Sequence, residues 1–112
     1  MSSPRQNLIP GTLNLLVLSA VRSGTIHGYG ISQWIAERTS NVLRAEEGVL
    51  YPALHRLEKE GHLLSEWGRN DTGRRAKFYS LTPSGRQRLA EEVERWQLTS
   101  NAVNVAVAPG SE

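Results

Sequence analysis

The chain has 112 residues, 38% of them hydrophobic and 21% charged, with no cysteine and a formal net charge of +2. That is enough for one domain with a real core and too little for two; it excludes disulfide scaffolds and thiolate chemistry, and it fits a reducing, cytoplasmic setting. No apolar run approaches the roughly 20 residues of a membrane span, and the short apolar stretch after Met1-Ser2-Ser3-Pro4-Arg5 breaks at Pro10-Gly11, so neither a membrane partner nor a signal peptide is expected.

Residues 1–10 read as a flexible arm. A first helix begins at Gly11 or Thr12 and carries Leu13, Leu15, Leu16, Val17, Leu18, Ala20 and Val21. It is apolar nearly all round, so it belongs in a core or in a subunit interface. Ser23-Gly24 ends it. Thr25-Ile26-His27-Gly28-Tyr29-Gly30 leads into a second helix with Ile31, Trp34 and Ile35 at helical spacing, closing near Thr39-Ser40-Asn41. In a third helix Leu50, Leu54 and Leu57 fall at i, i+4 and i+7, and Gly61 stops it. Pro52 fits if that helix starts about a turn earlier, near Glu47 or Gly48.

From His62 to Thr82 the period changes to two. Leu63, Ser65 and Trp67, then Lys77, Tyr79 and Leu81, alternate around the turn residues Asn70-Asp71-Thr72-Gly73, which predicts a hairpin. Thr82 or Ser84 can cap a last helix over 83–107, in which Leu89, Val93 and Trp96 recur on one side. Residues 108–112 read as a disordered tail.

Three helices, a hairpin and a final helix make a mainly α fold with a small β-hairpin: a winged helix-turn-helix over 11–82, followed by a C-terminal helix. In that architecture the third helix enters the major groove of double-stranded DNA, which is wide enough for one helix. With Leu50, Leu54 and Leu57 in the core, the opposite face shows Tyr51, Pro52, His55, Arg56 and Lys59, groups that bind phosphates or base edges. Glu58 and Glu60 lie among them, so a merely solvated face is the alternative. The positive charge of the hairpin, from Arg69, Arg74, Arg75 and Lys77 against Glu66 and Asp71, strengthens the DNA reading. A winged-helix protein-interaction module without DNA binding is the competing class, since fold alone does not separate the two.

The stripe Leu89–Val93–Trp96 needs a covering surface. A second copy of the chain provides one, giving a homodimer; packing back on its own domain is the alternative. Two Trp96 side chains about a two-fold axis would also wall a flat pocket for a small aromatic ligand. His27, His55 and His62 lack metal-site spacing, and no nucleophile–base constellation stands out, so no cofactor, metal or enzymatic activity is expected. Glu91, Glu92 and Glu94 read as a solvated helix face.

Several blocks together carry a family resemblance: Gly11-Thr12-Leu13, His27-Gly28-Tyr29, Leu50-Tyr51-Pro52-Ala53-Leu54-His55-Arg56-Leu57-Glu58, Gly61, Tyr79-Ser80-Leu81-Thr82 and Gly85-Arg86. From about Leu8 to Trp96 the chain resembles the PadR family of transcriptional regulators, in its short form with one C-terminal helix. The resemblance implies a winged-helix dimer, usually a repressor, often answering a small aromatic or drug-like ligand. It places Tyr29 and Tyr51 near DNA and makes Arg74, Arg75 and Lys77 a basic wing. Glu46 and Val49 depart from the Ser or Thr that members often carry there.

Overall fold

A computed structural model describes residues 6–7 and 10–110. The elements in chain order are β1 (Gln6–Asn7), α1 (Pro10–Arg22), β2 (Ile26–His27), α2 (Gly28–Arg38), β3 (Leu43–Arg44), α3 (Glu47–Lys59), β4 (Leu63–Arg69), β5 (Arg75–Leu81) and α4 (Pro83–Val107).

Three helical faces meet in one core. Leu13, Val17, Leu18 and Val21 of α1 pack with Ile31 and Ile35 of α2 and with Leu50, Leu54 and Leu57 of α3. Each of these large side chains is worth about 1.5–3 kcal/mol buried rather than exposed. The predicted leucine stripe of α3 is therefore the inward one. Because α3 starts at Glu47, Pro52 falls in its second turn, and the helix runs on to Lys59. Pro52 sits on the exposed side, where water can serve the carbonyl that its missing N–H leaves without a donor.

The hairpin forms as expected, with Leu63 opposite Leu81 and Arg69 opposite Arg75. Its alternation holds at the base, where Leu63 and Tyr79 are buried, but fails at Trp67, which is 59% exposed. The strands there have run past the core into solvent, and the hairpin projects as a wing. A third strand was not legible in the sequence. β2 pairs antiparallel with β5, Ile26 against Tyr79 and His27 against Phe78, giving the order β2-β5-β4. Two residues are too few to show a period.

The expectation of a flexible arm over 1–10 is corrected where the structure describes it. Gln6–Asn7 pair in parallel with Leu43–Arg44, and Pro10 already belongs to α1. The exposed edge of β3 attracts a second strand through backbone groups alone, which a polar dipeptide does not advertise. The remainder of the arm, residues 1–5 and 8–9, lies outside the described residues, as do 111–112 of the tail expected over 108–112.

Of the two candidate caps for α4, Thr82 serves. Its Oγ1 accepts from Gly85 N at 2.9 Å and donates to Gly61 O at 2.6 Å. Ser84 instead meets His62 Nδ1 at 2.7 Å. Leu89, expected on a dimer or ligand stripe, is only 4% exposed and belongs to the core of its own chain. The reason is the packing of α4 against α1 and β5, which cover it. Val93 packs partly against the same core, and Trp96 stays 46% exposed. The solvated-face reading is also corrected at Glu92, which is 8% exposed between Arg88 at 2.9 Å and Arg95 at 3.6 Å.

Candidate nucleic-acid interface

The exposed side of α3 carries Tyr51, Pro52, His55 and Arg56, as the leucine stripe required. Tyr51 is 42% exposed, and its ring lies against the backbone of Gly28 at the start of α2. Burial, and then the negative charge of Glu47, raise its pKa above the ordinary tyrosine value. The hydroxyl therefore stays protonated at neutral pH and remains a donor suited to a phosphate oxygen. Tyr29 and Tyr51, together with Arg44, Glu46 and Glu47, line a groove of about 450 Å³ between α2 and the start of α3. Arg44 was missed in the sequence, because a lone arginine between two helices carries no pattern. Tyr29 is held edge-on to His27, centroids 6.4 Å apart, and His27 stacks on Phe78 at 5.3 Å. His27 thus links the start of α2 to the wing strand.

At the wing tip, Asn70 Oδ1 accepts from Thr72 N, Thr72 Oγ1 and Arg74 N at 3.1, 2.8 and 2.9 Å. Gly73 takes φ of +80°, the left-handed region that glycine occupies without strain. Arg69 Nη1 donates to Gly73 O at 2.9 Å. The Arg75 guanidinium lies over the Trp67 ring, 4.5 Å from its centroid. Arg74 is exposed, and among the described residues its side chain has no hydrogen bond or ion pair.

Lys77, expected in the basic wing, pairs with Glu58 of α3 at 3.3 Å, and Ser65 Oγ donates to the same carboxylate at 2.6 Å. The Ser65 hydrogen bond first, and Lys77 after it, hold the Glu58 carboxyl below its usual pKa against the opposing effect of burial. Strand pairing puts Ser65, Lys77 and Tyr79 on one face of the hairpin, the face turned towards α3, so Lys77 meets the acid before it meets solvent. Glu58 thereby bridges both wing strands to α3, next to His55 and Lys59.

On α4, Trp96 borders a shallow apolar groove of about 210 Å³ shared with Thr12 and Leu15 of α1. Beyond it Leu98, Val103, Val105 and Val107 are exposed, and residues 97–107 carry no charge. Among the described residues no three His, Asp or Glu side chains cluster to hold a metal, and no helix is long and apolar enough to cross a membrane.

Residues 17–91 match the model of the transcriptional regulator PadR-like family. The chain belongs to that family. This PadR-like regulator is 38% identical over 80 residues to a transcriptional regulator of Mycobacterium tuberculosis, covering 71% of each chain. It is 31% identical over 85 residues to the negative transcriptional regulator PadR of Bacillus subtilis, spanning 76% of this chain and 47% of that one. Among solved structures, a transcriptional regulator from Clostridium thermocellum superposes with a TM-score of 0.78 at 34% identity, covering 87% of this chain and 94% of that one. A PadR family regulator from Clostridium difficile gives 0.73 at 26% identity, covering 86% and 98%. The PadR-like chain is thus a winged-helix, DNA-binding transcriptional regulator, and its family is one of regulators rather than enzymes.

Proposed function

We propose that this PadR-like regulator acts in the cytoplasm as a homodimeric repressor on a palindromic duplex site. Each α3 enters a major groove, with Tyr51, Pro52, His55 and Arg56 towards the bases and phosphates. Tyr29 flanks that helix at the groove edge, and Arg74 and Arg75 reach the backbone from the wing. The observation that carries this reading is the Glu58 bridge, which fixes a basic hairpin beside the exposed face of α3. The Bacillus subtilis relative, named a negative regulator, supports repression. The charge-free outer half of α4 supports a dimer, because five large apolar side chains from Trp96 to Val107 otherwise face water. Trp96 at the groove with α1 supports relief of repression by a small aromatic or drug-like ligand bound where two chains meet.

The test is a gel shift and footprint on the DNA upstream of the protein's own gene. Two protected half-sites about 34 Å apart, one turn of B-DNA, are expected. A single half-site protected by a monomer would overturn the dimeric reading. Candidate aromatic ligands added to the same assay should release the DNA.

A further inference from the structure

Arg69 and Arg75 stand directly opposite each other across the wing. Like charges at facing positions destabilise a hairpin, and the tip does not need them, since Asn70 and Gly73 close it. Two contacts draw the cations apart. Arg69 turns to the carbonyl of Gly73, while Arg75 leans back over the indole of Trp67, its diagonal neighbour on the partner strand. Trp67 itself is 59% exposed, so a place in the core does not account for a residue of that size.

A guanidinium lying on an aromatic ring has one face occupied and its N–H donors free around the rim. That leaves it oriented for bidentate contact with a phosphate. The other hairpin cations differ: Lys77 is taken up by Glu58, Arg69 by the tip carbonyl, and Arg74 has no contact that would orient it.

We propose that Trp67 is a positioning residue for DNA-backbone binding, holding the Arg75 guanidinium ready for a phosphate oxygen. The inference rests on the DNA-binding reading of the wing. Trp67 acts through Arg75, and its indole does not itself contact the duplex.

The experiment is a double-mutant cycle, with Kd measured against salt concentration on the upstream DNA and on a duplex of arbitrary sequence. R75A should lower the salt slope by about 0.9, one phosphate contact. W67A should weaken binding about twofold to tenfold on both duplexes, the range expected when one long side chain must be ordered on binding rather than beforehand. W67F should restore most of that loss, and W67A should add nothing in the R75A background. Thermal melts should move little, because both side chains are exposed and, in R75A, relief of the Arg69–Arg75 repulsion opposes loss of the cation–π contact. Equal losses from W67A with and without Arg75 would overturn the inference, since Trp67 would then touch DNA itself. An unchanged salt slope in R75A, or unchanged affinity in W67A, would overturn it too. A wild-type protein that binds no duplex would remove the DNA reading as well, so the two failures are distinguishable.

Discussion

The ring of Tyr51 lies on the backbone of Gly28: a Cβ at position 28 would stand 2.6 Å from Tyr51 Cε1. Glycine is required there by close approach and not by a left-handed backbone, since Gly28 is absent from the positive-φ positions. This contact sets how closely α3 approaches the start of α2.

Gly28→Ala gains up to about 1 kcal/mol of helix propensity, but overpacking against Tyr51 costs about 1–3 kcal/mol. A net loss of stability is expected, together with weaker operator binding as Tyr51 is displaced. In a Tyr51→Ala background the same substitution should become neutral or stabilising. Denaturant titration of the four proteins decides it, and a Gly28→Ala loss that persists without Tyr51 would refute the contact as its cause.

Glu58 couples stability to pH. Its folded pKa is lowered, so its contribution is complete above the ordinary carboxylate range and fades as the pH falls through the folded value. Partly exposed as it is, the Lys77 pair contributes no more than about 1 kcal/mol. The stability gap between wild type and Glu58→Gln should be constant at neutral pH and close on acidification. A gap that widened in acid would contradict this sign.

Lys77→Ala and Arg74→Ala should behave oppositely. Arg74→Ala should flatten the salt dependence of binding by about 0.9 and leave the melting temperature alone. Combined with Arg75→Ala, the flattening should reach about two. Lys77→Ala should lower stability slightly and leave the slope near wild type, because Glu58 already neutralises that charge. Salt titrations that rank Lys77 with Arg74 would return Lys77 to the DNA contacts.

Leu89 and Trp96 should also separate. Leu89→Ala opens a cavity in the core and should cost about 2–5 kcal/mol. Trp96→Ala, or Val103→Asp further along α4, should spare the fold and shift sedimentation towards monomer, weakening operator binding indirectly. A Val103→Asp protein that remained fully dimeric would place the subunit contact elsewhere.

Local signals were well read in the sequence, and long-range ones were not. The leucine stripe of α3, the hairpin and the start of α4 rest on periodicity and capping within a few residues, and the structure has them in place. The burial of Leu89 and Glu92 and the ion pair of Lys77 were not foreseen, because the packing of α1 and β5 against α4 and the acid on α3 come from distant segments, although the two arginines that flank Glu92 lie on its own helix. Gly28 stood only in the segment leading into the second helix, and the reason for a glycine there lies 23 positions away in the ring of Tyr51. Arg44 and the β1–β3 pairing gave no periodic signal, since backbone groups make the pairing.

The junction at Thr82 has a mechanical meaning. Thr82 N donates to His62 O at 3.2 Å and its hydroxyl to Gly61 O at 2.6 Å, so α4 is anchored two or three residues from the end of α3. From that fulcrum 25 helical residues make a lever about 37 Å long. A tilt of about 5° at the pivot moves the far end by about 3 Å, close to the rise of one base pair. A displacement of that size imposed on the outer end of α4 would bear on the two hydrogen bonds that tie Thr82 to the end of α3, with no long loop between them to absorb it.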